Sequence, residues 1–152
     1  MKKLLPLLVL AAATASCTRR PVISGRIEGL TNDTLIVQWG AIEAIPAKEL
    51  HRDTVVVRKG RFTFDAQIKK PCFFSIRPLQ AVIPIRGGYK WYSSVSDIHF
   101  TLDRGERVVI RAKVDSIYTD YTLSGESPNT EWSRFRAEQL PLHIAYTRLS
   151  LR

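Results

Sequence analysis

Two cysteines, three histidines and 14 acidic residues are the side chains from which this 152-residue chain could build a catalytic or metal site. His51, His99 and His143 lie far apart and show no metal-ligand spacing. The chain also lacks a C-x-x-C motif, a G-x-S-x-G nucleophile elbow and a glycine-rich phosphate loop. We therefore expect no enzyme activity, no metal and no cofactor, and we expect the histidines at the surface or at strand edges.

Cys17 is the residue for which the sequence predicts a definite modification. Two lysines precede the uncharged run Leu4–Ala13, and three small residues then lead to the cysteine, as in a secretory signal. The run is too short to span a bilayer, which needs about 20 apolar residues. The tetrad Thr14–Cys17 resembles the bacterial lipobox, and this resemblance implies cleavage before Cys17 and acylation of its thiol. The alternative is an apolar first strand or helix of a cytosolic domain.

The chain divides by composition into four segments. We expect residues 1–16 to be a lipoprotein-type signal peptide and residues 17–24 to be the anchor and a short tether. Residues 25–124 form the β-rich domain. Residues 127–152 are interpreted as a helical segment, the truncated start of a connector. One domain of this size can bury a hydrophobic core.

The charge of the chain is strongly positive, at +9, of which Lys2 and Lys3 contribute two charges in the signal. Outside the cytoplasm the available polyanions are lipid headgroups, lipopolysaccharide and acidic glycans, so we expect no nucleic-acid partner. The basic residues are scattered along the sequence, which predicts a solvated basic surface and no single basic face. The residues in question are Arg26, Lys48, Arg52, Arg58, Lys59, Arg61, Lys69, Lys70, Arg77 and Arg86.

A period-two alternation of apolar and polar residues dominates the chain after Pro21 and predicts β-strands. Phe62 and Phe64 should share one buried face, Lys59-Gly60 should form a tight turn, and Cys72 should be a small core residue. The fold class is mainly β, an antiparallel sandwich or open barrel of about 7–9 strands with a C-terminal helix. The predicted strands are 23–29, 34–39, 53–58, 61–65, 72–77, 81–85, 98–102, 107–114 and 118–123, with a loop at 40–52.

The C-terminal segment is the one part of the chain with helical periodicity. Ser127 is a suitable N-cap and Pro128 suits the first helical position. Pro141 should kink or end the helix, after which Leu142–Leu149 could resume it. The apolar side comprises Trp132, Phe135 and Leu140.

Three aromatic residues lie close together in a segment, 89–97, that reads as a long hairpin loop or a lid. Tyr89, Trp91 and Tyr92 are flanked by Arg86 and Lys90. Such a cluster can stack on sugar rings or contact a partner protein. Alternatively, one or two of the rings cover an open end of the β-structure.

Three segments together carry a family resemblance: 24–35, 53–64 and 123–132. The chain resembles the N-terminal β-rich domain of unknown function found in Bacteroides-type lipoproteins. This domain often precedes a thioredoxin-like thiol–disulfide oxidoreductase domain, to which a helical segment joins it. The redox site of that second domain is a W-C-x-x-C motif, which this chain lacks, so no catalytic residue of the family maps onto it.

These observations lead to three hypotheses. The first is a lipid-anchored, non-catalytic interaction or positioning module of the cell envelope. Arg19 and Arg20 favour a periplasm-facing position, since surface-export signals of such lipoproteins are acidic. The second is the N-terminal part of a membrane-anchored thiol–disulfide oxidoreductase. The third is a glycan-binding domain that uses Tyr89, Trp91 and Tyr92. The expected partners are the membrane, through the lipid, and an envelope protein or glycan.

Overall fold

The computed structural model describes residues 22–30, 32–43, 50–79, 83–84, 90–91, 97–114, 118–125 and 128–150. Most predicted strands are confirmed within a residue or two. The elements are β1 Val22–Glu28, β2 Asn32–Ala41, β3 His51–Arg58, β4 Arg61–Asp65, β5 Cys72–Pro78, β6 Ile83–Pro84, β7 Lys90–Trp91, β8 Ile98–Leu102, β9 Arg107–Val114, β10 Thr119–Gly125 and α1 Asn129–Ser150.

Eight of the strands form one sheet in the order β10-β9-β1-β4-β3-β2-β5-β8. The sheet curls into a nearly closed, barrel-like body, and α1 is the single α-helix among the described residues. The mainly β fold with a C-terminal helix is therefore confirmed. Every neighbouring pair is antiparallel except β1 and β9, which run parallel. The sheet is therefore mixed, whereas the sequence predicted an antiparallel one. The prediction missed the parallel pair because period-two alternation marks a strand but carries no information about the direction of its neighbour.

The interior of the barrel is filled by the inward-facing residues of these strands. Phe74 is fully buried and stacks on Phe100, with ring centroids 5.2 Å apart. Trp39 packs on the other side of Phe74, at 6.0 Å. Phe62 is buried and Phe64 half-buried, as their shared face predicts. Stacked and offset rings of this size supply much of the apolar area that stabilises a small core.

The β3–β4 hairpin turns at Lys59-Gly60, as predicted. Both residues have positive φ, 50° and 74°, which is the backbone of a tight two-residue hairpin turn. A Cβ at Gly60 would lie 2.9 Å from the carbonyl oxygen of Ile27, and the Ile27 N–H donates to the Gly60 carbonyl at 2.7 Å. The turn is therefore packed against the end of β1, which aligns β1 with β4.

Several predicted boundaries are wrong. The first strand begins at Val22, one residue before its predicted start at Ile23. β2 and β3 extend into the predicted loop 40–52, because Trp39 pairs with His51 across the two strands and stacks on its ring at 5.4 Å. β7 lies in the predicted loop 89–97 and pairs with β6 as a short separate hairpin.

The C-terminal helix is continuous from Asn129 to Ser150, although Pro141 lies within it. Of the two effects predicted for Pro141, a kink or an end of the helix, the end is therefore wrong. Proline removes one helical hydrogen bond, and local propensity favours a break. Here Leu140 and Thr147 are buried on either side of the proline, and their packing offsets that local cost. The predicted N-cap, Ser127, lies outside the described residues.

Candidate ligand site under the C-terminal helix

The site lies at the seam of the barrel, where the outer strands β8 and β10 approach each other without forming a continuous ladder. Helix α1 covers this seam. The side chain of Asn129 accepts from the Thr101 N–H at 2.9 Å and donates to the Thr101 carbonyl at 2.6 Å. The Ser133 hydroxyl accepts from the Leu123 N–H at 3.1 Å. The first turns of α1 thus occupy the place of a missing strand and satisfy the backbone groups of both edges.

Tyr121 connects the two edges beneath the helix. Its hydroxyl accepts from the His99 N–H at 3.0 Å and from the indole N–H of Trp132 at 3.3 Å. The same hydroxyl donates to the His99 carbonyl at 3.4 Å. Its ring lies under the guanidinium of Arg136, 3.8 Å from the centroid, in a cation–π contact. Tyr121 of β10 therefore contacts His99 of β8 and both Trp132 and Arg136 of α1, and so holds these three residues together.

A cavity of about 200 Å³ opens beside this arrangement, and we call it the seam pocket. Its polar wall comes from Asp97, His99 and Arg136, and its apolar wall comes from Trp132 and Phe135. Both rings are about half exposed. Part of this apolar surface is therefore available to a ligand, which the geometry of the polar wall would orient.

Asp97 forms the floor of the polar wall and is fully engaged. Arg77 donates to its carboxylate in a bidentate pair, from Nε at 2.9 Å and from a terminal nitrogen at 2.8 Å. The Ser75 hydroxyl donates to the same carboxylate at 3.3 Å. A buried carboxylate held by a two-pronged arginine is well satisfied. We therefore assign Asp97 a structural role at the floor of the pocket.

His99 has an unsatisfied ring nitrogen. Its ring stacks on Phe73 at 5.3 Å, and its Nδ1 is buried with no hydrogen-bond partner among the described residues. Burial lowers the pKa of His99 from its usual 6.5; Asp97 opposes this effect, while Arg136 and Arg77 add to it. The imidazole is accordingly neutral at neutral pH, with a nitrogen free to bond a ligand.

Arg136 is the second group with spare hydrogen-bonding capacity. One terminal nitrogen donates to the Thr119 carbonyl, while the other is buried and makes no hydrogen bond within the described chain. Asp120 lies 3.9 Å from that second nitrogen, an ion-pair distance. Burial lowers the pKa of Arg136, but an arginine remains charged in proteins. The seam pocket therefore holds a cation with an unused donor.

Of the other candidate residues, His143 also lines the seam pocket. Cys72 is buried, as predicted, and burial raises the pKa of its thiol, with Lys70 acting against this and Asp103 adding to it. His99 lies on the outer strand β8, as a strand-edge histidine should. Cys17, Tyr89 and Tyr92 lie outside the described residues. Trp91 is described only through its backbone, which pairs with Ile83. The glycan-contact cluster therefore stays a prediction.

The seam pocket could not be predicted from the sequence. Its polar groups come from β8, β10 and α1, and the bonds that unite them join residues up to 28 positions apart. One local signal was available, because Trp132 and Arg136 are four residues apart and lie on adjacent parts of one helix face. That spacing shows that the two side chains are neighbours, but not that they face His99.

Three further findings bear on function. No group of three or more metal-binding side chains occurs in the described part of the chain. Within the same ranges, no helix combines the length and the apolar character that crossing a bilayer requires. No family model matches the chain, and a search of curated proteins found no significant match.

Proposed function

We propose that this chain is a lipid-anchored, non-catalytic binding module of the bacterial cell envelope, with the seam pocket as its binding site. The observation that carries the proposal is the pair of unused polar groups, His99 Nδ1 and the free nitrogen of Arg136, beside the half-exposed rings of Trp132 and Phe135. Buried polar groups are normally satisfied, and those left without partners call for an explanation. A bound ligand supplies one.

The chemistry of the pocket selects the ligand class. Arg136 can only donate, and the charge of Asp97 is already paired with Arg77. Asp120 lies 3.9 Å from the unbonded nitrogen of Arg136, which is an ion-pair distance but too long for a hydrogen bond, so that donor is available to a ligand carboxylate. At about 200 Å³ the cavity lies below the range of about 300–1,000 Å³ that holds drug-sized molecules. The ligand we propose is one small apolar ring that bears a carboxylate, free or at the end of a partner chain.

Titration of the ¹⁵N-labelled mature chain with phenylacetate tests this site by NMR. We expect saturable shifts of the Trp132 indole N–H and the His99 amide. Phenylacetamide, which is similar in shape but uncharged, should bind about tenfold more weakly, because charge-assisted hydrogen bonds are about twice as strong as neutral ones.

The matched variants are Arg136→Gln, in the pocket, and Arg134→Gln, exposed on the same helix. The first should lose phenylacetate binding, and the second should retain it. A thermal unfolding curve shows whether each variant is folded. Absence of a saturable shift, or equal binding by folded Arg136→Gln and parent, refutes the assignment.

The anchor is tested separately. The supporting observation is the cysteine that follows a short apolar run and small residues, with β1 beginning soon after it at Val22. In cells fed a palmitate analogue, the parent should become labelled and Cys17→Ala should not. Equal labelling of the two proteins, or none, eliminates the lipid anchor while leaving the pocket untouched.

A second candidate function, part of a membrane-anchored thiol–disulfide oxidoreductase, has one observation in its favour. Phe135, Leu142, Tyr146 and Leu149 are all more than half exposed and lie along one side of α1. An apolar row of this length suits contact with a further domain. Reading the genomic DNA beyond codon 152 tests this: a downstream W-C-x-x-C supports it and unrelated sequence refutes it.

A further inference from the structure

Four arginines from four neighbouring strands stand directly opposite one another on the outside of the barrel. Arg58 of β3 is paired with Arg61 of β4, and Arg61 is paired with Arg26 of β1. Arg26 is paired in turn with Arg111 of β9. Residues opposite each other in a sheet point to the same side, so the four form a continuous line. We call it the arginine row.

The arginine row is exposed and has no acidic ion-pair partner among the described residues. All four side chains are exposed. The ion pairs found among the described residues join Lys70 to Glu43, Arg77 to Asp97 and Arg136 to Asp120, and none includes a member of the row. Glu28, two residues beyond Arg26 on β1, stands opposite Lys113. The positive charge of the row is therefore turned towards solvent.

The row is unfavourable for folding. Like charges directly opposite in adjacent strands repel each other and destabilise a sheet. Arg26 and Arg61 each have an arginine on both sides. Natural proteins break such a rule, here the avoidance of like charges on paired strands, most often at functional sites. A surface that presents a line of anions would compensate the repulsion.

We infer that the arginine row binds the anionic headgroups of the bilayer in which the Cys17 lipid is inserted. Strands in a sheet lie about 4.8 Å apart, so the row extends over about 14 Å and can reach several headgroups. The planar guanidinium group matches phosphate oxygens in a bidentate way. This inference rests on the proposed function for its lipid anchor only, and it does not involve the seam pocket.

The tether supports this partner over a soluble polyanion. β1 begins at Val22, and the step from Cys17 to Val22 spans at most about 18 Å, since an extended chain advances about 3.6 Å per residue. Arg26 lies on that same first strand. The anchor therefore holds the row close to headgroups, where each basic residue adds to surface attraction.

Vesicle sedimentation with the unlipidated mature chain, carrying Cys17→Ser, tests the row independently of the anchor. The probes are vesicles of phosphatidylcholine alone and of phosphatidylcholine with an equal part of phosphatidylglycerol. We expect binding to the anionic vesicles at low salt, and its loss at about 1 M salt, where the Debye length is about 3 Å.

Two variants with the same change in net charge separate the row from general basicity. In the first, Arg26, Arg58, Arg61 and Arg111 become glutamine; in the second, Lys69, Arg104, Arg134 and Arg148, all exposed and outside the row, become glutamine. The row variant should lose at least about tenfold in partitioning, since each basic residue near an anionic surface contributes measurably. The control should lose much less.

The single variant Arg61→Gln adds a readout that does not depend on binding. It relieves two repulsions, so its melting temperature should rise while its vesicle binding falls. Equal losses in the two quadruple variants, or equal binding to neutral vesicles, overturn the inference. Binding of dextran sulfate without binding of anionic vesicles also overturns it and indicates a soluble polyanion. In cells, the row variant that retains Cys17 should be labelled with palmitate as strongly as the parent. A failure of the arginine row can therefore be told apart from a failure of the lipid anchor.

Discussion

His99 combines an aromatic stacking contact with an unsatisfied polar atom. Its ring packs on Phe73, its backbone bonds the Tyr121 hydroxyl, and its Nδ1 is buried without a partner in the described chain. The charged groups around it are Asp97, Arg77 and Arg136. Desolvation outweighs the attraction of Asp97, because that carboxylate is already engaged by Arg77. The ring is therefore held neutral.

The first prediction concerns the pH dependence of stability. Because the pKa of His99 is lower in the folded chain than its usual 6.5, the unfolded chain takes up the proton first as the pH falls. The free energy of unfolding should therefore decrease from about pH 6.5 downwards, until the folded-state pKa is passed. Urea unfolding at about pH 7.5 and about pH 5 measures this decrease.

His99→Gln should show a smaller decrease than the parent over the same interval. If parent and His99→Gln have the same pH dependence, the folded-state pKa of His99 is not lowered by burial.

Cys72 gives the second prediction at the residue scale. It is buried and its thiol pKa is raised above 9.0, so little thiolate forms at neutral pH. In the mature chain with Cys17→Ser, iodoacetamide should label Cys72 slowly under native conditions and quickly in guanidinium chloride. Rapid native labelling would show that the thiol is accessible and would remove Cys72 from the core.

At the scale of elements, helix α1 completes the sheet where no strand can. Asn129 is almost fully buried and bonds both backbone groups of Thr101, while Ser133 bonds the backbone of Leu123. These bonds join the helix to β8 on one side and to β10 on the other. The helix is therefore part of the barrel domain.

The third prediction tests this closure. Asn129→Ala removes two hydrogen bonds and leaves the N–H and carbonyl of Thr101 unpaired under the helix. We expect the free energy of unfolding to fall by about 2–4 kcal/mol, given about 1–3 kcal/mol for each buried group left without a partner. Chemical denaturation measures it. Thr130→Ala, one residue on and exposed, is the control and should cost under about 1 kcal/mol. Similar costs for the two variants would mean that Asn129 does not close the seam.

At the scale of the whole molecule, one aromatic-rich core holds the curled sheet together. Phe74 lies at its centre, fully buried between Trp39 and Phe100. Phe73, the residue before it on β5, points outward and is 44% exposed. The alternation of one strand thus places two neighbouring phenylalanines in opposite environments.

The fourth prediction follows from this contrast. Phe74→Ala should lower the free energy of unfolding by about 3–5 kcal/mol, because it removes a fully buried ring and leaves a cavity. Phe73→Ala should cost at most about half as much, since only part of that ring is removed from water. Denaturation curves of both variants measure the difference. Equal costs would contradict the strand register of β5.

Much of the fold could be predicted from local patterns. The strands 61–65, 98–102 and 107–114 agree with β4, β8 and β9 residue for residue. The reason is that side-chain alternation and turn residues act within a few positions of each other. The seam pocket could not be predicted in this way, because its groups come from three separate elements.

The sequence by itself determined where most of the strands lie, where the β3–β4 hairpin turns, and that Cys72 is buried. Only the tertiary structure decided which strands are neighbours, and that changed the interpretation of the charge. Arg26, Arg58 and Arg61 look scattered along the chain, yet pairing of β1, β3, β4 and β9 aligns them with Arg111. The physical reason is that alternation sets the face on which a side chain lies, whereas long-range hydrogen bonding between strands sets what lies beside it.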